Sequence, residues 1–404
     1  MTRKNFCLYP FAALSLDNSG APRICCHNLA WDKVSLNKKF GDSTFTVEEG
    51  YNNALHKELR RFIINDVRHP SCKKCWDAEN EGTPSFRTWF TESFKLEGKD
   101  EQYWIDKCDA LGNIKDIEFL YLDITFGNKC NLKCVMCNGS NSSLFAKEQF
   151  EQKEISLEYF NKLMSFDWFE DAEQFNKLDG YLSSVQRIHI LGGEPLLIEH
   201  QHFLKKFVDL GISKNIVLSY NSNLTVLPRE ILELWAEFDK VYLCVSVDAY
   251  KELNEFIRFP MKWEKLERNI DDVIALGIPN VRLQIHATFS SLSYLGMPKF
   301  LDWVRETNRK HPQIEVVPYV NYVYSPAWID PNHLPDDIKQ EGYKRYLEWE
   351  SKNTDITDHE RFGMLKGHYT KILDSKGDPK MFEKCLERIN HFETIRKCKF
   401  PGFK

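Results

Sequence analysis

From about residue 117 to 320 the chain alternates apolar strand-like runs with amphipathic helical stretches, and this rhythm restricts the fold more than any other feature. The runs are Phe119 to Thr125, Val185 to Leu191, Ile216 to Ser222, Val241 to Asp248, Val281 to Thr288 and Ile314 to Val320. Between them, Ile231, Leu234, Trp235 and Phe238 follow helical spacing behind Pro228. Leu266, Ile270, Val273 and Ile274 line a second helix, closed by Gly277 and Pro279. Such alternation implies an α/β fold with a parallel sheet and right-handed crossovers. Loops after parallel strands gather at one rim, where chemistry is built.

The first of those loops holds Cys130, Cys134 and Cys137, spaced by three residues and then two, with no fourth cysteine close behind. Four thiolates close an iron–sulfur cube, whereas three leave one iron open to a ligand. An open metal position separates a catalytic site from a structural one. The rival readings are a zinc knuckle completed by a distant partner and three unrelated buried thiols. The second strand ends in Gly192-Gly193-Glu194-Pro195. Glycines there allow close backbone approach to a ligand, and Glu194 offers a carboxylate for an ammonium; a plain turn is the alternative.

The triplet with its Cys-Asn-Leu-x-Cys core, together with Gly-Gly-Glu-Pro, resembles the motifs of the radical S-adenosylmethionine (radical SAM) superfamily. The resemblance implies a partial (β/α)6 barrel and a [4Fe–4S] cluster on Cys130, Cys134 and Cys137. It further implies that the free iron chelates the methionine part of the cofactor, whose reductive cleavage gives a 5′-deoxyadenosyl radical. Met136 stands where the family often has an aromatic residue, and its thioether can pack near the adenine. Tyr220-Asn221-Ser222-Asn223-Leu224-Thr225 resembles a Thr-Asn-Gly-Thr segment, with Leu224 in place of glycine. Asn223 either bonds the cofactor or caps a loop.

On the fourth strand Tyr242, Cys244, Ser246 and Asp248 share one face, opposite Val241, Leu243, Val245 and Val247. Ser246 and Asp248 suit ribose hydroxyls; a core serine and a helix-capping aspartate are the alternatives. The fifth strand repeats the pattern, with Arg282, Gln284, His286 and Thr288 on one face. Gln284 and His286 are candidates for cofactor or substrate contacts, although a single strand histidine is more often structural. Arg258 matches an arginine that often follows the fourth strand in relatives, where it meets a carboxylate bidentately. A surface salt bridge is its other reading.

Of twelve cysteines, five fall in the first fifth of the chain: Cys7, Cys25, Cys26, Cys72 and Cys75. Residues 1 to about 115 read as short strands and turns, with a hairpin about Asp17-Asn18-Ser19-Gly20 that carries Cys25 and Cys26 at its base. Neighbours on a strand point oppositely, so only one of that pair suits ligation. Four thiolates would close a second cluster, and the set resembles the twitch module, a shortened SPASM domain with an auxiliary [4Fe–4S] cluster. In most relatives that module follows the barrel. A structural zinc ribbon is the rival. Cys108, Cys244, Cys385 and Cys398 read as ordinary thiols.

The expected organisation is therefore an auxiliary-cluster domain at 1–115, a barrel at 116–328 and a helical extension at 329–404 that acts as structural cover. The formal charge is −5, with no basic footprint, so nucleic acid is not the expected partner. No apolar run is long enough for a membrane span and no signal peptide is visible, so a cytoplasmic enzyme is expected. The resemblance implies hydrogen abstraction from an unactivated carbon, with the auxiliary cluster accepting or donating an electron, and an external donor such as flavodoxin or ferredoxin. A small-molecule or carbohydrate substrate is favoured over a ribosomally made peptide, because the first 115 residues leave no room for a peptide-recognition wing. A non-catalytic iron–sulfur or zinc protein is the reading from another class.

Overall fold

The computed structural model describes residues 3–28, 38–94, 96, 98–312, 319–323, 325–357 and 360–403. It divides into two compact units. The first comprises Met1–Lys129, Phe150–Tyr220 and Arg229–Val241, and the second Cys130–Gln149, Asn221–Pro228 and Tyr242–Lys404.

In the first unit the strands are β1 (Ala13–Leu16), β2 (Pro22–Arg23), β3 (Tyr121–Phe126), β4 (Arg187–Gly192) and β5 (Val217–Ser222). They lie in the order β2-β1-β3-β4-β5. The expected hairpin is β1–β2, turned by Asp17, whose Oδ1 accepts from Ser19 N (2.8 Å) and Ala21 N (3.0 Å). Its first strand pairs in parallel with β3, which pairs in parallel with β4, and β4 with β5. The hairpin thus extends the same sheet.

The sheet has two unlike faces, as the period of two requires. Leu122, Ile124, Phe126, Ile188, Ile190, Leu218 and Tyr220 are fully buried. Phe126 packs on Phe203 and Phe169, with ring centroids 5.7 and 5.9 Å apart. Each such side chain contributes about 1.5–3 kcal/mol by leaving water. The opposite face carries Ser15, Asp123, His189 and Ser219 in one register row.

The expectation of short strands and turns across residues 1–115 needs correction. Beyond the hairpin this stretch is chiefly helical, with helices at Ala54–Ile64, Lys73–Asn80, Phe86–Glu92 and Glu101–Asp106. Leu55, Leu59 and Ile63 form the buried stripe of the first. Its Arg60 is fully buried and serves backbone carbonyls of three separate segments: Pro10 (2.8 Å), Tyr51 (2.9 Å) and Gly112 (3.1 Å). The local turn signals concealed this tertiary use of a helix.

In the second unit β6 (Lys240–Ser246, of which the last five residues belong here), β7 (Val281–Phe289) and β8 (Tyr319–Tyr322) follow in that order. β7 and β8 are parallel, His286 opposite Tyr319. Of the sixth expected strand, Val320 and the preceding Tyr319 lie in β8, and residues 314–318 lie outside the described residues. Helix Trp263–Ala275 buries Leu266, Ile270 and Val273 and is followed by Gly277 at φ +61°. Helices Asp336–Lys352, Glu360–Asp374 and Pro379–Arg396 form the C-terminal part. Buried Tyr294, Tyr346 and Tyr369 join them, with centroids 4.9 and 4.8 Å from Tyr369. Among the described residues no helix is long and apolar enough to cross a membrane.

Candidate metal centre

The cysteine triplet follows β3 on a loop pinned by its own backbone. In the second unit Cys130 N donates to Ser143 Oγ (3.2 Å), Lys133 N to Phe259 O (2.7 Å) and Val135 N to Ile257 O (2.8 Å). Leu132 and Val135 are buried at 2% and 1% exposure, anchoring a loop whose three thiols stay half-exposed. Apolar anchors alternating with sulfur are what local sequence supplies here. Burial pushes the Cys134 thiol up, while the Arg258 guanidinium pulls the other way. Cys137 is pushed up by burial and by the neighbouring Cys134 and Cys130. Thiols held together in this way are costly to ionise alone and favourable once a cation neutralises them.

The two bonds to Phe259 and Ile257 flank Arg258, which is not on the surface. Its Nη2 donates to Asp248 Oδ1 (2.9 Å), and its Nε stands 2.7 Å from Oδ2, an ion contact without hydrogen-bond alignment. Asp248 is fully buried, and Oδ1 also accepts from Thr288 N (2.7 Å). The surface-salt-bridge reading of Arg258 is thereby corrected. Asp248 is engaged in holding Arg258 and β7, and it caps no helix; Ser246 is half-buried near the end of β6.

Gly192 to Pro195 close β4 in the first unit. Glu194 N donates to the carbonyl of Lys129, the residue before Cys130 (2.9 Å). A Cβ on Gly193 would stand 2.4 Å from Asn128 O and 2.6 Å from Lys129 O, so only glycine allows this approach. Glu194 is 1% exposed, and its Oε1 accepts from Leu196 N (3.1 Å) over the short turn Pro195–Leu197.

Residues 124–307 match the Radical SAM superfamily profile. This stretch is a radical SAM domain. Among solved structures the chain is similar to native anSMEcpe with bound AdoMet, at 17% identity over 57% of this chain and 59% of that chain, TM-score 0.38. It is also similar to Streptococcus suis SuiB bound to S-adenosylmethionine, at 15% identity over 73% and 64%, TM-score 0.35. The chain thus spans less than two thirds of those chains. No curated protein matches it.

Other expected residues of the radical SAM domain lie in the second unit as follows. Asn223 accepts from Thr225 N (2.9 Å) and Oγ1 (2.6 Å), capping its loop, and its Nδ2 donates to Asn131 Oδ1 (3.1 Å) beside Cys130. Leu224 adopts a left-handed backbone at φ +53°, a conformation glycine takes most readily. The strain of about 1–2 kcal/mol is offset by full burial of its side chain and by Asn269 Nδ2 on its carbonyl (2.6 Å). Met136 packs against the cluster of Val135, Phe145 and Ile257. Gln284 and His286 meet each other, Nε2 to Oε1 at 3.4 Å, and the His286 ring lies 4.5 Å from Tyr319.

Outside the domain, Cys7, Cys25, Cys72 and Cys75 line one cavity of the first unit, together with Tyr9, His27 and Arg87. Cys26 is exposed and does not line it. The adjacent pair therefore points two ways, Cys25 to the cavity and Cys26 towards Arg23 and Asp123. Burial pushes Cys72 up to about 11, with Cys75 adding to it. Among the described residues no three His, Cys, Asp or Glu are grouped tightly enough for a single metal ion.

Two features escaped sequence reasoning. The C-terminal helix is more than cover: Arg396, fully buried, donates from Nη2 to Glu148 Oε1 (2.6 Å), and Lys133 of the cysteine loop reaches the same carboxylate. In the first unit Asp123 gathers Tyr9, Ser15, Arg23 and His189. A charge inside an apolar strand was the available signal, since buried carboxylates require partners.

Proposed function

We propose that the chain is a radical SAM enzyme that abstracts a hydrogen atom from an unactivated carbon of a small-molecule or carbohydrate substrate and oxidises it. The observation that carries this reading is one loop bearing three half-exposed thiols, inside a matched radical SAM domain whose Gly-Gly-Glu-Pro backbone is bonded to the residue before the first thiol. Cys130, Cys134 and Cys137 would hold a [4Fe–4S] cluster, and the all-sulfur donor set fits that group. With S-adenosylmethionine bound, the pair supplies a 5′-deoxyadenosyl radical; the remaining work is the protein's. Gly192 and Gly193 allow the close-packed turn that Glu194 and Pro195 shape in the first unit; in the second unit Met136, Asn223, Ser246, Gln284 and His286 would be contacts of the cofactor. Asp248 fixes the position of Arg258, whose guanidinium favours the Cys134 thiolate.

Cys7, Cys25, Cys72 and Cys75 would hold the auxiliary [4Fe–4S] cluster, the one-electron partner of the substrate. Their shared cavity supports this, and it favours Cys25 over Cys26. The partners of this reading are the substrate and a flavodoxin- or ferredoxin-type donor. The test is anaerobic reconstitution with iron, sulfide and S-adenosylmethionine, then reduction. Roughly eight irons per chain and release of 5′-deoxyadenosine are expected. Fully loaded, reduced protein that never releases 5′-deoxyadenosine refutes the proposal.

A further inference from the structure

We propose that His189, oriented by Asp123, accepts the hydroxyl proton of a substrate held over the polar face of the first unit's sheet. This rests on the oxidative reading above and names its substrate class: an alcohol whose carbon carries the abstracted hydrogen. Asp123 and His189 are cross-strand partners on β3 and β4, in one row with Ser15 and Ser219. Asp123 is 2% exposed, and its Oδ2 is saturated by Ser15 Oγ (2.9 Å), Arg23 Nη2 (3.0 Å) and Tyr9 OH (3.1 Å). Its Oδ1 is buried without a hydrogen bond and faces His189 Nδ1 at 3.4 Å. One carboxylate oxygen is therefore fixed by three donors, and the other is reserved for an imidazole. A proton taken up on Nε2 would add a charge–charge attraction to this contact.

The His189 side chain is 23% exposed, and no hydrogen bond to Nε2 is seen among the described residues. A buried carboxylate behind Nδ1 of a partly exposed ring is the arrangement of an oriented general base. Burial alone would push the Asp123 carboxyl up, yet Arg23, His189 and Ser15 together hold it well below the usual carboxylate range. It stays ionised and can stabilise an imidazolium. The further titratable groups that interact with Asp123 in this unit are Tyr121 on β3, itself near Arg187 on β4, and Cys26.

Tyr9 joins this dyad to the thiol cavity, since the ring that donates to Asp123 also lines the space shared by Cys7, Cys25, Cys72 and Cys75. Proton and electron acceptors are thus neighbours. The step balances: after the carbon loses its hydrogen atom, the O–H proton goes to His189 Nε2 and the unpaired electron to an iron–sulfur one-electron acceptor. The O–H bond breaks, and the carbon–oxygen π bond of a carbonyl forms.

Two experiments on the reconstituted full chain test this. In the first, carbethoxylation of His189 by diethyl pyrocarbonate is followed at one neutral pH by peptide mass mapping. His189 is expected to react, and at a changed rate in Asp123→Asn, which removes the charge behind Nδ1. Where that variant does not fold, Ser15→Ala, which removes one donor from Oδ2, is read instead. An unreactive His189, or a rate indifferent to the folded variant, overturns the proposal. In the second, perdeuterated glucose, perdeuterated myo-inositol and a peptide with deuterated serine are supplied with S-adenosylmethionine. Deuterium is expected in 5′-deoxyadenosine from at least one, and transfer from none overturns the proposal. In His189→Gln the carbonyl formed per deuterated 5′-deoxyadenosine is expected to fall about 100-fold. An unchanged ratio means a structural role and overturns it. A wild-type enzyme giving no 5′-deoxyadenosine refutes the proposed function instead, and carbethoxylation alone then decides the dyad.

Discussion

The two groups of cysteines are assembled by opposite means. Cys130, Cys134 and Cys137 come from one short loop, whose shape is set by backbone bonds to Ser143, Ile257 and Phe259. Cys7, Cys25, Cys72 and Cys75 come from three separate segments that meet only because a hairpin and several helices pack together. The first is a property of local chain geometry, and the second of tertiary structure. Damage to packing should therefore reach the N-terminal group first.

The sharpest way to break this comparison is cysteine removal. Cys134→Ala should abolish 5′-deoxyadenosine formation and lower iron from roughly eight to roughly four per chain. Cys72→Ala should lose a similar share of iron yet still cleave S-adenosylmethionine, as read by chromatography of the nucleoside. Equal loss of cleavage in both would erase the distinction. Next in size is Gly193→Ala, whose methyl would collide with the carbonyls of Asn128 and Lys129. A shift on the order of 1 Å there should slow cleavage about 100-fold, measured at saturating cofactor.

Buried ion pairs give the third contrast. Arg396→Met leaves Glu148 buried with Lys133 alone, and Arg23→Met removes the principal charge from Asp123. Each should cost about 3–5 kcal/mol in urea unfolding. Only Arg23→Met should lower iron retention at the N-terminal group. Acid sensitivity follows from His200, which is fully buried between Ile198 O (2.8 Å) and Tyr220 OH (3.0 Å). Burial lowers its pKa to about 4. The unfolded chain takes up a proton below about pH 6.5 and the folded chain does not, so stability falls as pH drops from 6.5 to 4. The loss is about 3 kcal/mol and should be reduced in His200→Gln. The smallest effect is Ser143→Ala, which removes the hydroxyl that accepts from Cys130 N and donates weakly to Cys130 O, and should cost about 1 kcal/mol.

What could be read from the sequence divides along the same line. The strands, the amphipathic helix over residues 263–275 and the cysteine loop were legible because each depends on residues close in the chain. Asn223 and Leu224 were legible in part: their segment was recognised, but the left-handed turn at Leu224 is chosen by burial of its side chain. The helices of residues 54–106 were missed because turn residues such as Gly82 and Pro84 dominate the local signal there. Arg396 with Glu148, 248 residues apart, leaves no local pattern at all. Asp123 with His189 needs the register of two parallel strands, which neither strand shows alone.

The parallel ladder between β1 and β3 carries a consequence for how this chain can be altered. A protein begun after residue 115 would leave a full row of amide and carbonyl groups on β3 without a neighbour, a surface prone to self-association. It would also strip Asp123 of Tyr9, Ser15 and Arg23 together. The amino-terminal segment is thus woven into the sheet, so grafting it onto a foreign barrel would transfer the sulfurs without the seam that holds them.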